Sequence, residues 1–226
     1  MREMQGKRVC VIGGGSGIGA AVARLAADAG AEVLTAGRSG RGAAAVVDVT
    51  DDASVAGYFA GAGKLDHVVV SVSTAMPGRL VAGDWAAMRA AFETKYWGAL
   101  RVARAAAPRM AAGGSILLIS GVASRRAVAG MENLTPLNAA VEGLVRALSA
   151  ELAPLRVNGI APGLIDTPYW DGHAEMLAQA GAALPLGRAG RGEDCGRAAL
   201  YLFTSDWVTG TVLDVDGGFL SGGSRA

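Results

Sequence analysis

The sequence has few residues of several types, and each scarcity excludes a class of protein. Aromatic residues make up 5% of the 226 positions, cysteine and histidine occur twice each, and 21 basic side chains balance 20 acidic ones to a net charge of +1. Cys10 and Cys195 cannot build a disulfide framework and have no metal-ligand spacing. A balanced charge does not attract nucleic acid or an anionic membrane. We therefore expect a small-molecule partner, and no metal, nucleic acid or membrane.

Long apolar runs are also missing. Arginines interrupt the longer apolar stretches before they reach the roughly 18 residues that a membrane span requires. The first run, Val9–Ile12, is shorter than the roughly 7 to 15 residues of a signal-peptide core, so we expect a cytoplasmic protein. No linker, repeat or low-complexity segment divides the chain, and we predict a single domain over 1–226.

The chain instead alternates short β-branched runs with longer helical stretches, a pattern typical of a parallel sheet covered on both faces. It predicts an α/β, doubly wound, seven-stranded Rossmann fold. The predicted strands are Val9–Ile12, Glu32–Thr35, Ala45–Val49, His67–Val72, Ser115–Ile119, Arg156–Ile160 and Thr211–Val215. The predicted helices are Ile18–Ala29, Ala53–Gly61, Asp84–Met110, Thr135–Leu152 and Glu193–Thr204. Only five residues, 38–42, connect the second strand to the third, so a bare loop replaces the usual crossover helix.

Glycine is abundant, with 34 residues, and its densest run follows the first predicted strand. Ile12–Gly19 reads Ile-Gly-Gly-Gly-Ser-Gly-Ile-Gly and opens the first predicted helix. Glycine at such a turn permits positive φ and lets the backbone approach a pyrophosphate at the helix N-terminus. The pattern predicts a dinucleotide site that includes Gly13, Ser16, Gly17, Ile18 and Gly19. The alternative is a merely flexible turn.

The end of the second strand indicates which dinucleotide binds. Gly37 stands where a carboxylate would accept hydrogen bonds from a ribose 2′-hydroxyl, and Arg38 follows it, which favours NADP(H). Ser39 and Arg41 could assist, although Arg38 as a solvated loop cation is the alternative. Asp48 ends the third predicted strand, where it could accept from the adenine amino group or instead cap the next helix.

These residues and others along nearly the whole chain resemble the short-chain dehydrogenase/reductase family. Ile12–Gly19 is similar to that family's Thr-Gly-x-x-x-Gly-x-Gly, with Ile12 in place of the threonine. The other similar segments are Asp48-Val49, Leu65-Asp66, Gly98, Arg156–Asn158, Ala161–Gly163, Thr167 and Asp214–Gly218. The resemblance implies a nicotinamide cofactor and a homodimer or homotetramer. It also implies cofactor contacts at Val49, Ser71, Ser73, Lys95, Pro162, Gly163, Ile165 and Thr167.

The resemblance fails at the catalytic positions. In the family, a serine, a tyrosine, a lysine and a helical asparagine serve proton transfer. Alignment on neighbouring motifs places Gly121 at the serine, Leu134 at the tyrosine, Asn138 at the lysine and Lys95 at the asparagine. No tyrosine occurs between Tyr96 and Tyr169, so a small shift of alignment cannot restore one. Leucine cannot transfer a proton.

Lysine and asparagine have in effect exchanged places, and the resemblance implies that these two positions are neighbours through a bound water. We hypothesise that Lys95 and Asn138 serve catalysis, with Lys95 reaching the nicotinamide ribose or a substrate oxygen. The alternative is that Lys95 extends into solvent. Ser120 is a second candidate for contact with a substrate oxygen, although adjacent strand residues face opposite sides and its hydroxyl could point away.

Two functions remain open from sequence alone. One is an oxidoreductase that transfers a hydride to a small carbonyl or imine substrate, with Tyr169 or His173 as further candidate acids. The other is a non-catalytic NADP(H)-binding sensor or partner subunit, and non-redox chemistry in the same pocket is a weaker third. Trp97 and the apolar faces of 99–110 and 139–152 suit either the core or a helix-on-helix subunit interface.

Overall fold

A parallel sheet of seven strands organises the chain, in a computed structural model that describes residues 3–73, 83–127 and 133–222. The strand order is β3-β2-β1-β4-β5-β6-β9. These strands are β1 (Arg8–Ile12), β2 (Glu32–Gly37), β3 (Ala45–Val46), β4 (Leu65–Val70), β5 (Met110–Ile119), β6 (Arg156–Pro162) and β9 (Val212–Val215). All pairings are parallel, which confirms the predicted doubly wound fold.

Helices cover both faces of this sheet because its strands are apolar on both sides. On one face α1 (Gly17–Asp28) and α7 (Gly192–Thr204) bury their apolar residues against alternate residues of β1 and β4. On the other face α2 (Asp52–Gly61), α4 (Gly98–Ala106) and α5 (Leu134–Glu151) do the same. Within the described residues no helix is both long enough and apolar enough to cross a membrane.

Several predicted boundaries were wrong. The stretch predicted as one helix to Met110 is divided into α3 (Trp85–Phe92), a π-helical turn (Glu93–Trp97) and α4, and Met110 already begins β5. The third strand has two residues instead of five, because the chain turns at Asp48, whose carboxylate accepts from the Thr50 N–H and hydroxyl. The bare loop between β2 and β3 is confirmed.

The segment after β6 contains elements that the sequence pattern did not predict. Two-residue strands β7 (Ile165–Asp166) and β8 (Gly190–Arg191) form a separate small sheet, and α6 (Ala174–Ala182) lies between them. Strands of two residues are too short for an alternating pattern to be recognised. This segment forms one wall of the site described below.

Candidate active site

One large cavity lies at the carboxyl ends of the strands, where a doubly wound sheet binds its ligand. Its volume is about 770 Å³, and it extends from the β2–β3 loop to the segment around α6. Four charged side chains line it among the described residues: Arg38, Arg41, Asp48 and Lys95. All the predicted cofactor residues except Gly19 line this cavity, and Gly19 lies directly beneath it against Gly13.

The glycine-rich loop forms the floor of the cavity, and its glycines are required by close backbone approach. A Cβ atom on Gly13 would lie 2.1 Å from the Ser71 carbonyl oxygen, and one on Gly19 would lie 2.2 Å from the Gly13 carbonyl oxygen. Gly13 also has a φ of +85°. A merely flexible turn would not require glycine at such contacts, so this close packing favours a fixed cradle over the flexible-turn alternative.

Helix α1 begins at this floor without a side-chain cap. Ser16 occupies the N-cap position with an extended backbone, its side chain makes no capping hydrogen bond, and the first turn carries no acidic residue. Ser16, Gly17 and Ile18 line the cavity. An uncapped first turn presents backbone N–H groups and the positive end of the helix dipole, a combination that suits a phosphate group.

The β2–β3 loop forms one end of the cavity. The Arg41 carbonyl oxygen lies so close to Gly15 that a Cβ there would approach it to 2.2 Å, which explains a third glycine. The side chains of Arg38, Ser39 and Arg41 are exposed at the mouth. Asp48 also lines the cavity, but the proposed cap of the next helix is wrong, because Asp51 caps α2 by accepting from the Ala53 N–H.

The loops after β4 and β6 form the middle of the cavity. Ser71 and Ser73 follow β4 and line the cavity. Thr167 lies over the glycine-rich loop, 3.4 Å from where a Gly17 Cβ would stand. Gly163 is glycine for a structural reason, since a Cβ there would lie 2.8 Å from the Asp216 backbone.

Lys95 is held at the opposite end from the β2–β3 loop. It lies in the π-helical turn, and its Nζ donates to the Asn138 Oδ1 at 2.6 Å and to the Ser120 carbonyl oxygen at 2.8 Å. Burial without a carboxylate partner lowers the pKa of Lys95 to about 8. The alternative in which Lys95 extends into solvent is therefore wrong. Positions 95 and 138 are neighbours, as the resemblance implies, and a direct hydrogen bond joins their side chains.

Gly121 completes this group by leaving room for Asn138. Its φ of 171° is ordinary extended backbone, so conformation does not require a glycine there. A Cβ at this position would lie 2.9 Å from the Asn138 Nδ2. Leu134 begins α5 one turn before Asn138 and lines the same cavity. The four positions singled out by alignment therefore meet at one place.

The hydroxyl of Ser120 does not face this group, which corrects the prediction that it contacts a substrate oxygen. It is buried and donates to the Glu142 carboxylate and the Ile160 carbonyl oxygen, both at 3.3 Å. Ser120 contacts Lys95 through its backbone carbonyl group and not through its hydroxyl. The reason is the strand geometry at the end of β5, where neighbouring residues point to opposite sides.

Sequence reasoning missed Glu142, a buried carboxylate one turn after Asn138. It accepts from Ser124 at 2.6 Å and from Arg125 at 3.4 Å, and Arg125 also pairs with Asp214 on β9. This network fixes the segment after β5 to the sheet edge. A buried acid in an otherwise apolar helix face was the available signal.

The far wall of the cavity is largely apolar. It consists of Val122, Ala123, Leu134, Leu164, Tyr169, Trp170, Met176, Ala180 and Phe219. Burial raises the pKa of Tyr169, and His173 is exposed and does not line the cavity. The geometry therefore keeps Tyr169 and removes His173 as a candidate acid.

Comparison with known proteins identifies the family. A family model described as enoyl-(acyl carrier protein) reductase matches residues 13–220. The chain is 30% identical to a short-chain dehydrogenase/reductase of Stachybotrys chlorohalonatus, with 96% of this chain and 98% of the relative covered. The chain belongs to the short-chain dehydrogenase/reductase family. The resemblance at the sequence motifs is thereby confirmed.

Two further proteins are similar to this chain over nearly their whole length. An uncharacterized oxidoreductase of Mycobacterium tuberculosis is 35% identical, with 96% of this chain and 94% of that protein covered. A crystal structure of a small-chain dehydrogenase in complex with NADPH superposes with a TM-score of 0.90 at 37% identity, over 96% of this chain and 99% of the other. The family uses nicotinamide cofactors, and the glycine cradle and uncapped α1 described above suit one.

Proposed function

We propose that this protein is an atypical NADP(H)-dependent oxidoreductase that acts on a small carbonyl or imine substrate and lacks the family's serine, tyrosine and lysine. The observation that carries the proposal is the continuity of one cavity from the glycine cradle to Lys95. Gly121, Leu134 and Asn138 would then occupy the positions of the family's catalytic residues, with Lys95 at the asparagine position.

The residues that would hold the cofactor follow from the two ends of the cavity. Gly13 and the first turn of α1 would hold the pyrophosphate, and Arg38 with Ser39 would face the 2′-phosphate, with Arg41 beside them.

The rings and the second ribose of the cofactor would contact other residues of the cavity. Asp48 and Val49 would border the adenine, while Ser71 and Ser73 would border the ribose on the nicotinamide side. Pro162, Gly163, Ile165 and Thr167 would border the nicotinamide. When bound, the reduced cofactor supplies the hydride.

The preference for NADP(H) over NAD(H) is supported by charge. Gly37 provides no carboxylate for a 2′-hydroxyl, and Arg38 and Arg41 are exposed cations at the mouth. The similar small-chain dehydrogenase binds NADPH. Homodimer or homotetramer formation and a cytoplasmic location stay predictions.

A non-catalytic NADP(H)-binding protein is the second candidate, and Leu134 favours it because leucine cannot exchange a proton. Fluorescence titration with NADPH and NADH tests the shared part of both functions. We expect NADPH to bind at least about tenfold more tightly, since one charge-assisted contact contributes that much. Absence of binding would contradict both candidates.

Turnover separates the two candidates. We expect loss of reduced-nicotinamide absorbance with members of a panel of small apolar aldehydes, ketones and cyclic imines. Tight NADPH binding without turnover across the panel would instead support the non-catalytic protein.

A further inference from the structure

Among the described residues, hydrogen-bond acceptors engage two of the three N–H groups of the Lys95 ammonium. Two N–H groups are used by the Asn138 Oδ1 and the Ser120 carbonyl oxygen, at 2.6 and 2.8 Å. Among the residues that the structure describes, these are its hydrogen-bond partners, and Lys95 lines the cavity. Both partners are uncharged acceptors, so they orient the amine without neutralising it.

We propose that Lys95 is the proton donor to the oxygen of an uncharged carbonyl substrate reduced in this cavity, and that Asn138 and the Ser120 backbone position its amine. The proposal rests on the proposed function and names the acid that the function requires. It also narrows the substrate from a carbonyl or imine to a carbonyl.

Other groups around the cavity suit this role less well. Leu134 has no exchangeable proton, and the Ser120 hydroxyl donates a hydrogen bond to Glu142. Arg38, Arg41 and Asp48 lie at the β2–β3 end, with Asp48 engaged by Thr50. Tyr169 lines the apolar wall, but its side chain is 48% exposed and its pKa is raised, which makes it a weaker acid.

The charged groups on the surrounding elements, within residues 3–73, 83–127 and 133–222, form no ion pair with the Lys95 amine. On α5, Glu142 faces Ser120, Ser124 and Arg125, and Arg125 also pairs with Asp214. On the helix of Lys95 itself, Glu93 pairs with Arg101. Desolvation is therefore the cause of the lowered pKa, and the amine can lose and regain a proton near neutral pH.

The proposed step balances with NADPH as the reductant. The carbonyl carbon gains a hydride from the reduced cofactor while the C=O π pair moves to oxygen, and that oxygen takes a proton from the Lys95 Nζ. The substrate becomes an alcohol, the cofactor becomes NADP⁺, and Lys95 becomes a neutral amine. Its two remaining N–H groups still reach the same two oxygens, and solvent returns the lost proton.

The charge on Lys95 accounts for the narrowed substrate class. An ammonium beside the reacting group stabilises the negative charge that develops on a carbonyl oxygen. The same ammonium repels a protonated imine, which already carries a positive charge. The apolar wall of Leu134, Trp170 and Phe219 favours an aliphatic or aromatic flank on the substrate.

Competitive acetylation of the cofactor-free protein tests the environment of Lys95 without any turnover. Labelling with acetic anhydride across a pH series, followed by peptide mass spectrometry, gives the pKa of each lysine. We expect a value near 8 for Lys95, and the exposed Lys64, labelled in the same samples, serves as an internal reference for the reactivity of the reagent. Asn138→Asp should raise the Lys95 pKa by about one unit or more, because a carboxylate stabilises the ammonium, and Asn138→Leu should lower it.

The pH dependence of turnover tests the proton transfer itself. The rate of carbonyl reduction should decline above about pH 8, and the rate of alcohol oxidation should rise over the same range. Asn138→Asp should shift both limbs of the pH–rate profile to higher pH. Lys95→Arg keeps the charge but cannot deprotonate, so it should reduce turnover by about 100- to 10,000-fold and abolish the limb. Tyr169→Phe, the control, should leave the limb in place.

The outcomes separate this proposal from the proposed function. A pH limb that persists in Lys95→Arg, or one that is lost in Tyr169→Phe, would overturn Lys95 as the donor even while NADPH turnover continues. Preferential turnover of cyclic imines over matched ketones would overturn the substrate class. NADPH binding without any turnover, together with an acetylation pKa near the ordinary lysine value, would overturn both the proposal and the oxidoreductase function.

Discussion

The two ends of the cavity are built from different parts of the chain. At the glycine end the backbone forms the surface, and the contacts that matter are carbonyl oxygens packed against Gly13, Gly15 and Gly19. At the lysine end side chains form the surface, and the Lys95–Asn138 hydrogen bond depends on the identity of both residues. Close backbone contacts at the first end leave no room for a side chain at these glycines, whereas hydrogen bonds between side chains and backbone hold the second end together.

This difference indicates that dinucleotide binding and proton transfer depend on different features of this fold, the first on the backbone and the second on side chains. A backbone cradle serves any dinucleotide, because phosphate recognition needs N–H groups and close approach and no particular side chain. Proton transfer needs a titratable group at one position.

The largest effect is expected at the glycine end. Gly13→Ala places a Cβ 2.1 Å from a backbone oxygen at a φ of +85°, and neither atom can move without shifting β1 or β4. We expect the free energy of unfolding to fall by about 2 to 4 kcal/mol and NADPH affinity to fall by about 100-fold or more. Urea denaturation and fluorescence titration measure the two effects.

A matched glycine provides the control for that substitution. Gly57 lies in α2, and a Cβ there would meet nothing within 4 Å. Gly57→Ala should raise stability by about 0.5 to 1 kcal/mol without changing NADPH affinity. Equal losses in both variants would remove the basis for a backbone-built cradle.

The next effect tests whether the lysine end is a coupled set of side chains. Gly121→Ser introduces the serine that the family resemblance implies for this position, and it brings a Cβ to 2.9 Å from the Asn138 amide nitrogen. We expect a loss of about 1 to 3 kcal/mol in stability and about 100-fold in turnover, because Asn138 must move away from Lys95.

A double-mutant cycle with Asn138→Ala measures this coupling. Because the shortened side chain removes the close contact, Gly121→Ser should cost less stability in the Asn138→Ala background than in the wild type. Additive losses in the two backgrounds would mean that Gly121 and Asn138 do not share space in solution.

The smallest effect is expected at the exposed mouth. Arg38→Ala should weaken NADPH binding by about 10- to 100-fold and leave NADH binding unchanged, because the guanidinium would contact only the 2′-phosphate. Arg109→Ala, an exposed arginine away from the cavity, serves as the control. Parallel losses for both dinucleotides, measured by titration, would exclude a 2′-phosphate role for Arg38.

The sheet and the glycine end could be predicted because their signals are local. A β-branched run followed by Ile12–Gly19 and a helix specifies a strand, a turn and a helix in consecutive residues. The lysine end could be located only by alignment, since Lys95 and Asn138 are 43 residues apart and meet through tertiary packing. Strand alternation indicated that the Ser120 hydroxyl could point away, but its partner Glu142 was beyond reach because the two residues meet through tertiary packing. The two-residue β7 and β8 were also beyond reach, because strands this short have no periodic pattern.

Because Lys95 lies in the π-helical turn Glu93–Trp97, the direction of its side chain is not set by the regular α-helical repeat of α3 and α4. Such a turn accommodates one residue more than a regular α-helix would. Gly98 immediately after it packs against Val49, where a Cβ would approach the valine Cγ2 to 2.7 Å, so the start of α4 is fixed from outside. Deletion of one residue from the turn would restore regular helix and leave α3 and α4 in phase. The Lys95 amine would then lose its alignment with Asn138. We therefore expect this deletion to remove the proposed proton transfer while the fold persists.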